Sequence, residues 1–225
     1  KKTRTSDLHD PPPRLIALEN THNYCMGSPI GPEYIQQASD LAKRYGLQIH
    51  VDGARIFNAA VALEIDVKDL VREVDSVMFC LSKGLSAPVG SLVCGNKKFI
   101  SRARKWRKMV GGGMRQSGHL AAAGIIALND LVDELKKDHF NAQVLAKGLA
   151  RLNGIVLDPE LVKTNIIFFN LKHPTLNPDT FLEKLETQGI KMLAIESGVF
   201  RAVLHREISE PQIERVICVS EEITK

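Results

Sequence analysis

Residues 80–90 read CLSKGLSAPVG, and the lysine at position 83 decides how the rest of the chain is read. The run SVMFCL (76–81), apolar and rich in β-formers, leads up to Ser82 and Lys83. A Gly-, Ser- and Pro-rich turn follows, and GSLVCG (90–95) reads as another buried strand. A long, flexible cation is an expensive residue to leave at the end of a core strand. In an open parallel sheet, however, that end is where ligands bind. Lys83 is therefore a candidate ligand-contacting residue.

The neighbouring segments supply the sheet. RLIALEN (14–20) reads as a short strand ending in polar residues, and PEYIQQASDLAKRYG (32–46) as a helix with proline near its start and glycine at its end. LQIHVDGAR (47–55) is a second strand ending at Asp52, VKDLVREV (67–74) a short helix, and SVMFCLSK (76–83) a third strand. The β-α-β-α-β order, with apolar strands, predicts an α/β fold: a mainly parallel sheet with helices on both faces. Helices follow over 97–109, about 116–129 and about 131–152, the last amphipathic and read as a packing bridge between a large and a small domain. From Gly154 two strands, TNIIFFNL and GVFRAVLH, alternate with two helices, which predicts a small α+β domain. The expected organisation is an irregular lead-in at 1–14, a large domain at 15–150 and a small C-terminal α+β domain at 151–225.

Composition narrows the function classes. The chain has 225 residues, of which 44% are hydrophobic and 25% charged, with a net charge of +4. Such a small net charge argues against nucleic-acid or membrane partners. The basic run Arg102, Arg104, Lys105, Trp106, Arg107, Lys108 scatters around a helix and reads as a solvated or subunit-contacting face. The four cysteines contain no CxxC pair and three lie in apolar contexts, so buried free thiols in the cytosol or an organelle matrix are expected. No close His/Cys ligand pair points to a metal. No apolar run approaches the roughly 20 residues that span a bilayer.

Strand ends place Glu19 and Asn20, Asp52 and Arg55, and Ser82 and Lys83 along one rim. A half-buried lysine there loses solvation, its ammonium pKa falls, and it becomes a nucleophilic amine able to form a Schiff base with an aldehyde. The aldehyde most often handled in this way is pyridoxal phosphate, whose ring nitrogen needs an acidic partner to stay protonated. Asp52 is the candidate for that partner. Arg55, three residues on, could pair with a substrate carboxylate or with the cofactor's phenolic edge. His50 shares a strand face with Asp52.

Taken together, LENTHN (18–23), HVDGARIFNA (50–59), LSKGLSAPVGS (81–91) and RKWRKMVGGGMRQSG (104–118) resemble the low-specificity L-threonine aldolases, fold-type-I pyridoxal-phosphate enzymes. The likeness runs from about Leu15 to Leu152 and continues more weakly through FRAVLHREIS (200–209). It implies that Lys83 carries the cofactor, that Asp52 pairs with its ring nitrogen, and that Arg55 and Ser82 belong to the cofactor site. Arg201 matches the arginine that grips the substrate carboxylate, a role Arg55 could share, and His9 lies where the family places a catalytic base. The implied reaction splits L-threonine or L-allo-threonine into glycine and acetaldehyde, in a homotetramer.

The resemblance also implies an N-terminal segment with a Gly/Ser/Thr-rich phosphate loop and a histidine stacked on the ring. Neither motif precedes LIALEN, so the chain reads as a fragment or truncated form. Two competing readings stay open: another fold-type-I lyase that eliminates a β-substituent, and a non-catalytic protein that kept the scaffold.

Overall fold

The structure is a computed structural model that describes residues 11–225. Its internal contacts divide it into two compact units. One holds the described residues up to Thr21 together with Ile30–Val132; the other holds His22–Pro29 and Asp133–Lys225.

The first unit is built on four strands whose order in the sheet is their order in the chain: β1 (Leu15–Glu19), β2 (Gln48–Asp52), β3 (Ser76–Cys80) and β4 (Ser91–Gly95). The first three are parallel and β4 runs antiparallel to β3. This is the predicted α/β, mainly parallel class. Helix α1 (Pro32–Arg44) links β1 to β2, with proline in its first turn and Gly46 just beyond its end at φ +63°. Helices α2 (Ile56–Leu63) and α3 (Val67–Leu70) link β2 to β3. Ile35, Val51, Ile56, Ala59, Ala60, Leu70 and Val77 form the core between these helices and one sheet face. Phe57 of α2 meets Phe79 of β3 edge-on at 5.3 Å.

Three sequence expectations change here. Helix α2 lies in IFNAAVAL, where the continuous apolar run hides the period by which a helix is recognised. Strand β2 alternates strictly, with Ile49 and Val51 buried and Gln48 and Asp52 exposed. Strand β4, predicted to be buried, has all five residues exposed, because β3 is its only partner among the described strands. Helices α4 (Lys97–Met109) and α5 (Gly118–Asp130) follow it. No residue of α4 is buried, which agrees with a solvated basic helix.

The second unit is a four-stranded antiparallel sheet of order β5–β6–β8–β7. Its strands are β5 (Ile155–Val156), β6 (Ile166–Leu171), β7 (Leu193–Glu196) and β8 (Val199–Val203). Helices α6 (Leu135–Leu149), α7 (Pro178–Thr187) and α8 (Glu210–Thr224) contribute to its core with the inward face of β6 and β8. Phe169, Phe181 and Phe200 are fully buried at the centre, with ring centroids 5.2–6.4 Å apart. Where the sequence suggests a domain end at 150, the contacts group α6 with this second unit from Asp133 onward.

The cysteines also depart from expectation. All four are free, but Cys25, Cys94 and Cys218 are exposed and Cys80 is half-buried. Cys94 rides on exposed β4, Cys25 on a surface turn and Cys218 on the solvent side of α8. No helix among the described residues is long and apolar enough to cross a membrane.

Candidate active site

Strands β1 and β2 end level with one another, and β3 runs two residues further. Glu19 pairs with Asp52 across β1 and β2, and Asp52 pairs with Met78 across β2 and β3. Beyond this line the chain turns tightly after β1 and after β2. The Asn20 amide donates to the Asp52 carbonyl at 2.9 Å, and the Gly53 amide to the Met78 carbonyl at 2.8 Å. A Cβ at position 53 would lie 2.8 Å from that same carbonyl, so only glycine lets β2 leave the sheet here.

Asp52 is held at the rim. Its carboxylate accepts the Ala54 amide at 3.1 Å, a bond that orients the side chain while leaving it exposed. Two residues earlier on the same strand face, His50 Nδ1 and Ser76 Oγ share a hydrogen bond at 2.8 Å across the paired positions of β2 and β3. Arg55 caps the N-terminus of α2, three residues beyond Asp52, and is half-buried. Asn20 is 1% exposed and closes the loop after β1: its amide nitrogen donates to the Ile30 carbonyl at 2.9 Å and its oxygen accepts the Ile30 amide at 3.0 Å.

Ser82 and Lys83 follow β3 on a turn clamped by Leu81. The Leu81 amide donates to the Gly90 carbonyl at 2.9 Å and the Ala87 amide to the Leu81 carbonyl at 3.0 Å. Inside this loop the Ser86 amide donates to the Lys83 carbonyl at 2.8 Å, with Ser86 at φ +60°. Leu81, Leu85 and Ala87 are buried and act as feet, which lifts Ser82 and Lys83 into solvent. The sequence expectation of a half-buried Lys83 is therefore corrected: the residue stands exposed at the rim. Its place, one strand along from Asp52 at the same end of the sheet, is as expected.

Arg201 belongs to the second unit. It lies on β8, half-buried, and its Nε is buried with no hydrogen-bond partner among the described residues. Burial pulls its guanidinium below the usual arginine range, and the nearby Tyr24 opposes that shift. His9 lies outside the described residues. Among the described residues no cluster of three His, Cys, Asp or Glu side chains could hold a metal ion.

The rim of the first unit thus offers the Lys83 amine, the Asp52 carboxylate and the Arg55 guanidinium at or just beyond the ends of β2 and β3, a donor set suited to an aldehyde-bearing heterocycle with a basic ring nitrogen. Sequence reasoning placed His50 on the Asp52 face, but its partner Ser76 needs the strand register to be seen. Tyr24 was passed over, because it comes close to Arg201 only through the fold of the second unit.

Comparison with known proteins follows the same lines. A family model described as beta-eliminating lyase matches residues 1–172. A probable low-specificity L-threonine aldolase of Arabidopsis thaliana is 45% identical over 218 residues, covering 96% of this chain and 61% of the relative. The low specificity L-threonine aldolase of Escherichia coli K12 is 41% identical over 215 residues, covering 96% and 62%. The chain therefore spans about three fifths of the length of these relatives. Among solved structures, a putative L-allo-threonine aldolase from Listeria monocytogenes superposes with a TM-score of 0.79 at 19% identity, covering 96% of this chain and 62% of that one. A Leishmania major threonine aldolase superposes with a TM-score of 0.77 at 21% identity, covering 97% and 64%. These superpositions establish the shared fold.

Proposed function

The chain belongs to the beta-eliminating lyase family, and from that premise we propose that its protein cleaves L-threonine and L-allo-threonine to glycine and acetaldehyde with pyridoxal phosphate as cofactor. The observation that carries this reading is that Asp52 ends β2 and Lys83 stands on the turn that follows β3, at the same end of two adjacent parallel strands. The names of the relatives above support the choice of substrate.

In this reading Lys83 would hold the cofactor. The turn fits that task, because the buried feet fix the backbone while the exposed side chain keeps its reach. Asp52 keeps the ring nitrogen protonated. Its carboxylate uses one oxygen on the Ala54 amide, which anchors it without neutralising it. Arg55 and Ser82 complete the cofactor side of the rim. The bound cofactor supplies an electron-accepting ring, which stabilises the charge left on Cα when the Cα–Cβ bond breaks. A base must take the β-hydroxyl proton, and His9 is assigned that role on the family resemblance alone. Arg201 is assigned to the substrate carboxylate, supported by its buried and unpartnered Nε. Tetrameric assembly and a cytosolic location rest on the resemblance in the same way.

A second reading, elimination of a β-substituent, is favoured by the family description itself. One experiment separates the two. The protein is loaded with pyridoxal phosphate, and acetaldehyde from threonine and pyruvate from a β-substituted amino acid are measured side by side. Acetaldehyde equimolar with glycine supports the aldol reading, whereas pyruvate without acetaldehyde replaces it by elimination. A visible cofactor band that persists in Lys83→Ala removes Lys83 from its assigned place.

A further inference from the structure

The second unit includes an eight-residue strap, His22–Pro29, that is remote in sequence from the rest of that unit. Its docking explains one anomaly of the sheet. Ile166 alternates with the core-facing Ile167 and Phe169, so it lies on the opposite face, outside the core cluster, yet it is fully buried. The strap packs against it at Gly27. A Cβ at Gly27 would lie 3.3 Å from the Ile166 side chain and 2.5 Å from Thr164 Oγ1, and the Thr164 hydroxyl donates to the Gly27 carbonyl at 2.8 Å.

Two residues further along β6 the same face carries Phe168, which is paired directly with Arg201 of β8. Directly opposed residues in an antiparallel pair present their side chains on the same face, about 5 Å apart at Cβ. The strap sets Tyr24 beside this pair, its ring centroid 6.4 Å from that of Phe168. A short 3-10 turn, Asn23–Cys25, fixes the Tyr24 backbone, and Met26 and Gly27 continue it in the left-handed region at φ 55° and 65°. Phe168 and Tyr24 therefore lie on the Arg201 side of the sheet, and Tyr24 is close enough to oppose the lowering of the guanidinium pKa by burial.

We propose that Tyr24 is a positioning residue that, with Phe168, forms an aromatic wall holding the Arg201 guanidinium extended and poorly hydrated so that it takes a carboxylate. An aromatic ring alongside an arginine restricts its rotamers and strips water from one face, so less freedom is lost when the carboxylate pairs with it. This deepens the assignment of Arg201 to the substrate carboxylate and rests on it. Tyr24 is 69% exposed, so its replacement leaves the core untouched.

The test uses the cofactor-loaded protein labelled with 15N-arginine, with the Arg201 Nε–H resonance identified by its disappearance in Arg201→Lys. Acetate is titrated into wild type, Tyr24→Phe and Tyr24→Ala, and the KM and kcat for threonine are measured on the same samples. The expected result is a shift of the Arg201 resonance by acetate that needs about fivefold or more acetate to saturate in Tyr24→Ala, with Tyr24→Phe near wild type. The KM should rise by the same factor at nearly constant kcat. Equal acetate titrations in all three proteins overturn the role of Tyr24 while leaving the Arg201 assignment standing. An Arg201 resonance that acetate does not move in wild type overturns the Arg201 assignment, and the role of Tyr24 with it.

Discussion

The hydroxyl of Thr164 donates to the carbonyl of Gly27 at 2.8 Å, joining residues 137 positions apart in a buried hydrogen bond. Thr164 is 0% exposed, so without its hydroxyl the carbonyl would be left buried and unsatisfied.

Thr164→Val keeps the shape and removes the donor. The expected cost is about 1–3 kcal/mol, the penalty for a buried acceptor left without a partner. Gly27→Ala should cost at least as much, since it adds a Cβ 2.5 Å from Thr164 Oγ1 to a backbone at φ 65°. Urea denaturation midpoints measure both, with Thr164→Ser as the variant expected to stay near wild type. An unchanged midpoint in Thr164→Val would show that this hydrogen bond contributes nothing to the stability of the second unit.

How much of this was legible in the sequence depends on whether the signal is local. The turn residues of CLSKGLSAPVG and the polar end of QIHVD place Lys83 and Asp52 at strand ends, because punctuation by Gly, Pro and Asp acts within a few residues. The exposure of Lys83 was not legible, since it depends on Leu81, Leu85 and Ala87 burying themselves beneath it. Strand β4 is apolar enough to look like core, but its burial depends on what pairs with its free edge. Strands β5 and β7, of two and four residues, are too short to show a period. The approach of Tyr24 to Arg201 spans most of the chain, and no local pattern announces it.

Helices α6 and α8 pack closely at Gly148. A Cβ on Gly148 would stand 2.6 Å from Ile217 Cγ1. Two effects compete in Gly148→Ala: helix propensity favours alanine by about 1 kcal/mol, and overpacking costs about 1–3 kcal/mol. A β-branched neighbour with little rotamer freedom cannot step aside, so the clash wins. Gly148→Ala is expected to lower stability, and Ile217→Ala in the same chain should restore part of it. A double-mutant cycle by chemical denaturation checks this; strictly additive effects would mean that the two residues do not touch.

Two adjacent residues of α6 set opposing pH dependences. Burial raises the Asp138 carboxyl from 3.8 to about 6, against the pull of His205, Arg206 and Lys137 and with the push of Glu134. A group raised in the folded state contributes stability that is present below pH 3.8 and lost as pH rises through about 6. Burial lowers His139 from 6.5 to about 4, so its contribution is present above pH 6.5 and lost as pH falls through about 4. Each is worth about 3 kcal/mol at most, so in wild type they largely cancel between pH 4 and 6.5. Relative to wild type, Asp138→Asn should gain stability as pH rises across that window, and His139→Gln should gain it as pH falls. Urea midpoints at several pH values read both slopes; variants that run parallel to wild type would sink the assignment.

Asp52 separates function from folding. Its side chain is exposed, and it orders the turn by accepting the Ala54 amide at 3.1 Å, which an asparagine oxygen can do equally well. What asparagine cannot do is carry the negative charge that the role proposed for Asp52 on a pyridine nitrogen requires. Asp52→Asn is therefore expected to leave the thermal midpoint within about 2 °C of wild type, since no buried contact changes. Turnover of threonine should fall about 100-fold or more, as when a group that controls a proton in the reaction is neutralised. Calorimetry and acetaldehyde release on the same preparation give the two numbers. A variant that turns over at nearly the wild-type rate would place the ring nitrogen's partner elsewhere, and a variant that unfolds would make Asp52 a structural residue of the β2 turn.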